Sequence, residues 1–78
     1  MKYTKTAFGN ALLDQLAHGY DPERLAEWAY GIYLEHVGEL EDEVLHEDMM
    51  TLVHMDGGPQ FYLTEAELRR LAVRLVES

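Results

Sequence analysis

Apolar residues recur along this chain in steps of three and four, the spacing that lines one face of an α-helix, and they divide it into four segments. In residues 6–18, Phe8, Leu12 and Leu16 follow each other at i+4, with Leu13, Ala17 and Tyr20 beside them. Gly19 offers the left-handed stop on which many helices end. Gly9 and Asn10 weaken the opening turn, so this helix starts either at Thr6 or with Asn10 as its N-cap. For residues 22–37, Asp21 is a capping side chain, Pro22 suits the first helical position, and Glu23 complements the helix dipole. Gly38 closes the segment. Leu25, Trp28, Ala29, Ile32 and His36 share one face of it, and Ala26, Tyr30, Tyr33, Leu34 and Val37 form a second stripe alongside. Only Glu27, Gly31 and Glu35 mark a polar side. A helix this apolar is either central to a bundle or lends its second stripe to another chain.

The third segment, residues 39–54, is less regular. Leu45, Met49, Leu52 and Val53 point to a core, with Leu40 and Val44 to one side and Glu43, His46, Glu47, Met50 and His54 opposite. Asp56-Gly57-Gly58-Pro59 breaks the chain. Residues 60–63 read as a short extended segment that docks as a strap or pairs near Tyr3. Thr64-Glu65-Ala66-Glu67 then matches a capping box, with Leu63 and Leu68 placed as a hydrophobic staple. Leu68, Leu71, Ala72, Leu75 and Val76 give the fourth helix its buried face, and Arg70 and Arg74 point outward within reach of Glu67. The expected fold is all-α: a compact bundle of four short helices in one domain over residues 1–78.

Composition narrows this further. With 78 residues, 47% of them hydrophobic, the chain suits one folded domain and not a disordered segment. Cysteine is absent, which removes disulfides, thiolate metal sites and thiol catalysis, and fits a reducing cytoplasm. No apolar run reaches the roughly 18 residues of a membrane span, and no signal-peptide core follows Lys2 and Lys5. A cytoplasmic protein with no membrane contact is the expectation.

Chemistry finds few footholds. The only serine is Ser78, Thr51 lies mid-helix, and Thr64 is committed as a cap, so no nucleophile is in place and no enzyme activity is expected. Glu43 and His46 match the Glu-x-x-His spacing that lets two helical side chains reach one ion. The motif occurs once, so a solvated acidic face is the first reading, and a metal-binding helical protein using Glu43 and His46 is an alternative. His36 reads as a core histidine bonded to backbone or carboxylate; His18 and His54 suit negative helix ends. No calcium loop or phosphate-binding glycine loop is present, and no cofactor is expected.

Charge is the strongest functional feature. Residues 25–68 hold eleven Asp or Glu and no Lys or Arg, within a chain of net charge −9. Such a field repels nucleic acid and attracts a basic protein. Glu39, Glu41, Asp42, Glu43, Glu47 and Asp48 are the candidate steering charges, with Tyr30, Leu34 and Met50 as candidate apolar contacts. In size, acidity, helical content and tyrosine content, the chain resembles the colicin-type nuclease immunity proteins. Their adjacent Tyr-Tyr pair is missing, since two residues separate Tyr30 from Tyr33, so no functional residue carries over. The resemblance implies an immunity or antitoxin-type inhibitor of a basic protein, bacterial in style. The alternative is a homodimer that joins through Tyr30 and Leu34, with its acidic surface serving solubility alone.

Overall fold

The computed structural model describes residues 2–77 and contains four helices: α1 (Lys5–Ala17), α2 (Pro22–His36), α3 (Glu43–Val53) and α4 (Glu65–Glu77). The helices close a ring. α1 packs along α4, and α2 along α3. Stacking of Phe8 on Trp28, ring centroids 5.4 Å apart, joins α1 to α2, and the Asp48–Arg74 ion pair joins α3 to α4. Tyr33 meets His46, while Ala26 and Tyr30 line a groove with Val53 and Asp56, so α2 and α3 run antiparallel.

Each helix contributes an apolar stripe to one core: Phe8, Leu12 and Leu16; Leu25, Ala26 and Ala29; Leu45, Met49 and Leu52; Leu68, Ala72 and Leu75. Met55, in a 3-10 turn over His54–Gly57, completes it. No polar side chain among the described residues is buried in this core, so burial of apolar surface holds the bundle together.

Local chemistry sets the helix ends, with two departures from expectation. α1 begins earlier than Thr6 or Asn10 would allow, because Thr4 caps it by accepting a bond from the Ala7 amide at 3.0 Å. Gly9 then sits inside the helix for a packing reason. A Cβ there would lie 2.7 Å from the Ala72 carbonyl oxygen and 2.8 Å from Val76 Cγ2, so the glycine marks where α1 and α4 approach most closely. At the other end of α1, the Arg24 guanidinium donates to the Gln15 side chain and to the carbonyls of Gln15 and Gly19. It thereby satisfies carbonyl groups that the end of a helix leaves open.

α3 is shorter than residues 39–54. Asp42 has extended backbone, φ −159°, and its side chain accepts from the Leu45 amide at 3.1 Å, so the helix begins at Glu43. The chain before it is claimed by the N-terminus. The Tyr3 amide donates to the Glu39 carbonyl at 2.7 Å and the Glu41 amide to the Tyr3 carbonyl at 3.0 Å, a single parallel bridge between Tyr3 and Leu40. The partner of Tyr3 is therefore residues 39–41 and not 60–63. After α3, Pro59–Phe61 form a 3-10 turn and the chain becomes extended at Tyr62. α4 opens as its capping box requires: the Thr64 amide donates to Glu67 Oε1 at 2.9 Å and the Glu67 amide to Thr64 Oγ1 at 3.1 Å.

Candidate protein-binding face

The acidic run before and within α3 divides into engaged and free carboxylates. Lys5 lies at its centre: its ammonium is 2.9 Å from Asp42 Oδ2, and its amide donates to Glu41 Oε1 at 2.8 Å. The bond from Lys5, aided by the Leu45 amide, holds the Asp42 carboxyl below its ordinary value, and the same bond raises Lys5. Glu39 Oε2 lies 3.2 Å from His36 Nδ1. Asp48 pairs with Arg74 at 3.0 Å. Glu43 and Glu47 remain exposed, with no cation within ion-pairing distance among the described residues.

His36 is not a core residue. It is half-buried with its ring stacked on Tyr3, centroids 4.1 Å apart, and with Glu39 it lies beside the Tyr3–Leu40 bridge that latches the N-terminus to residues 39–41. Burial, reinforced by Glu35, raises the Tyr3 phenol. Glu43 and His46 are both exposed, and the His46 ring rests against Tyr33 at 5.6 Å. Among the described residues, no three His, Asp or Glu side chains are grouped to hold an ion. The hydroxyls of Thr51 and Thr64 both engage backbone groups, and Ser78 lies outside the described residues.

The apolar candidates separate in the same way. Met50 is half-buried, whereas Tyr30 and Leu34 are 50% and 54% exposed. Val37, one turn further, is 56% exposed, so the second stripe of α2 presents about half of each of these three side chains to solvent. Glu23 and Glu27 continue the same stripe toward the helix start. Between the beginning of α2 and the end of α3 lies a groove of about 400 Å³ lined by Glu23, Ala26, Glu27, Tyr30, Val53 and Asp56. Ala26, Tyr30 and Val53 supply its apolar lining, and its only charges are carboxylates. A second hollow shares Val53 and Asp56 and runs on to Phe61, itself 51% exposed. Tyr62 borders this region, its hydroxyl 3.4 Å from Glu23 Oε1; burial first, then Glu23, raises its phenol.

Val37 belongs to the second stripe already read from the sequence, and Glu23 and Glu27 could have been found by extending that stripe toward the helix start at helical spacing. Asp56 and Phe61 carry no such signal, because only the fold brings the end of α3 and the following turns beside α2.

Gly31 occupies the outer side of α2 between Tyr30 and Leu34. A Cβ there would meet nothing within 4 Å. A glycine inside a helix costs about 1 kcal/mol relative to alanine, and within this chain no packing at Gly31 offsets that cost. The opposite charge sign appears on α4, where Arg69, Arg70 and Arg74 flank the exposed Val73. Arg69 pairs with Glu65 at 2.9 Å and Arg74 with Asp48, leaving Arg70 as the one arginine of this face without an ion-pair partner among the described residues.

Comparison of the chain with protein families, curated proteins and solved structures returns no match. Likeness to the nuclease immunity proteins thus rests on size, charge and helix content. No helix among the described residues is long and apolar enough to cross a membrane.

Proposed function

We propose that this chain is a non-catalytic interaction module of the cytoplasm that docks a basic protein on the outer face of α2, in the manner of an immunity or antitoxin-type inhibitor. One observation carries the reading: Tyr30, Leu34 and Val37 are exposed in a row, flanked by Glu23, Glu27 and Glu35, and no Lys or Arg of the described chain pairs with those carboxylates. An apolar stripe with a one-signed polar rim suits a partner of opposite charge, since rim charges steer encounter while buried aromatic and aliphatic contacts hold the complex. Glu43 and Glu47 extend the field along α3. Glu39, Glu41, Asp42 and Asp48 add to it at longer range, although each also holds an intramolecular partner.

Two-fold pairing of this stripe with a second copy is less favourable, because it would bring Glu27 and Glu35 of both chains to one interface. The test is retention of proteins from the native host on tagged protein at low and then high salt, beside the double variant Glu23→Lys/Glu27→Lys. A basic protein held at low salt, shed at high salt and missing from the variant is the expected result. Retention indifferent to both salt and charge reversal would remove the reading.

A further inference from the structure

Resting on that reading, we infer that the element docked on α2 is a cationic amphipathic helix, and that it crosses α2 at Gly31. The two observations behind this are independent of each other. First, the exposed positions of α2 follow helical spacing: Glu23, Glu27, Tyr30, Leu34 and Val37 succeed one another in steps of three and four. A strip of that length and form matches the side of another helix. Second, Gly31 lies beside the strip, level with its middle, where open space surrounds the Cβ position. Helices approach most closely where a small residue lies at the crossing point, as Gly9 already shows between α1 and α4 in this molecule. At Gly9 the helix that uses the gap is part of the chain; at Gly31 it is not.

Charge selects the occupant. Around the stripe stand Glu23, Glu27 and Glu35, and Asp56 lies across the groove from Tyr30. The only Lys or Arg within α2 is Arg24, which lines a hollow with Glu27 and Trp28 and whose guanidinium is engaged with Gln15 and Gly19. A helix with apolar residues at i, i+4 and i+7, flanked by Lys or Arg, places its side chains over Tyr30, Leu34 and Val37 and its cations against the carboxylates. A cation entering the groove would also meet the Tyr30 ring, which favours it further.

The experiment uses the full chain and two synthetic peptides with the same number of lysines: an amphipathic Leu/Lys helix and an oligolysine that forms no apolar face. Binding is measured by calorimetry for the wild type, Gly31→Leu, Gly31→Ala and Tyr30→Ala. The wild type should bind the helix at least about tenfold tighter than oligolysine. Gly31→Leu and Tyr30→Ala should each weaken helix binding about tenfold or more, with Gly31→Ala between them and the wild type. Since Gly31 has open space around it, both substitutions there should raise the melting temperature, and lost binding then cannot come from lost fold. Equal binding of helix and oligolysine would overturn the helical occupant while leaving the charge-steered reading intact. Unchanged helix binding by Gly31→Leu would overturn the crossing point, and absence of binding by either peptide would overturn the reading and this inference together.

Discussion

Two glycines in this bundle occupy the same kind of position and have opposite surroundings. At Gly9, alanine would gain helix propensity but drive a methyl group against the Ala72 backbone oxygen, 2.7 Å away, which no rotamer change relieves. Overpacking of this kind costs about 1–3 kcal/mol and outweighs a propensity gain of about 1 kcal/mol. Gly9→Ala should therefore lower the denaturation midpoint. Gly31→Ala should raise it by about 0.5–1 kcal/mol, as nothing opposes the gain. Equal effects in chemical denaturation would show that the crossing at Gly9 is looser than these distances state. The latch at the N-terminus gives a third residue-level prediction. Asp42 is lowered from its ordinary 3.8, so its contribution is complete above that value and is lost as pH falls through the folded-state value. Lys5 is raised from 10.5, so its contribution is complete below 10.5 and is lost as pH rises through its folded-state value. Protection of the Tyr3 and Glu41 amides from hydrogen exchange, taken relative to the intrinsic rate at each pH, should fall in acid and again in strong alkali. Asp42→Asn should flatten the acid response.

Helix ends show how much of the fold was readable before folding brought distant segments together. α2 and α4 start where they were expected, because Asp21, Pro22 and the Thr64/Glu67 box act on amides within three residues of themselves. Thr64→Ala should cost about 1 kcal/mol in thermal or urea denaturation, and a neutral result would mean that water replaces the cap without loss. Residues 39–41 could not be read this way. They carry Leu40 at a helical step from Val44, yet a backbone bridge to Tyr3 and the Lys5 contacts with Glu41 and Asp42 take them out of the helix. Those partners lie more than thirty residues away in sequence, beyond any local pattern. Candidate contacts divide on the same line. Tyr30 and Leu34 were visible as a second stripe on α2 and are exposed, whereas Met50 shared a polar face by spacing and is half-buried in the fold.

For the whole molecule, the net charge of −9 has two consequences that salt moves in opposite directions. Carboxylates crowded on one compact surface repel one another, which lowers the stability of the folded state relative to the expanded chain. The same surface raises the rate at which a cationic partner arrives. Near 0.15 M salt the screening length falls to about 8 Å, so both effects shrink over distances greater than one side chain. The free protein should therefore melt at a higher temperature as sodium chloride rises from low to physiological levels, while its association with a cationic helix slows. Intramolecular pairs such as Lys5–Asp42 and Arg74–Asp48 weaken with salt and pull the melting temperature the other way. Four ion pairs among the described residues, one of them through His36, are few against fifteen acidic residues, so relief of repulsion should prevail. Stopped-flow association and thermal melts on one salt series would test both signs together. A melting temperature that rises with salt while the association rate stays flat would assign the acidic surface to solubility and leave recognition to Tyr30, Leu34 and Val37 alone.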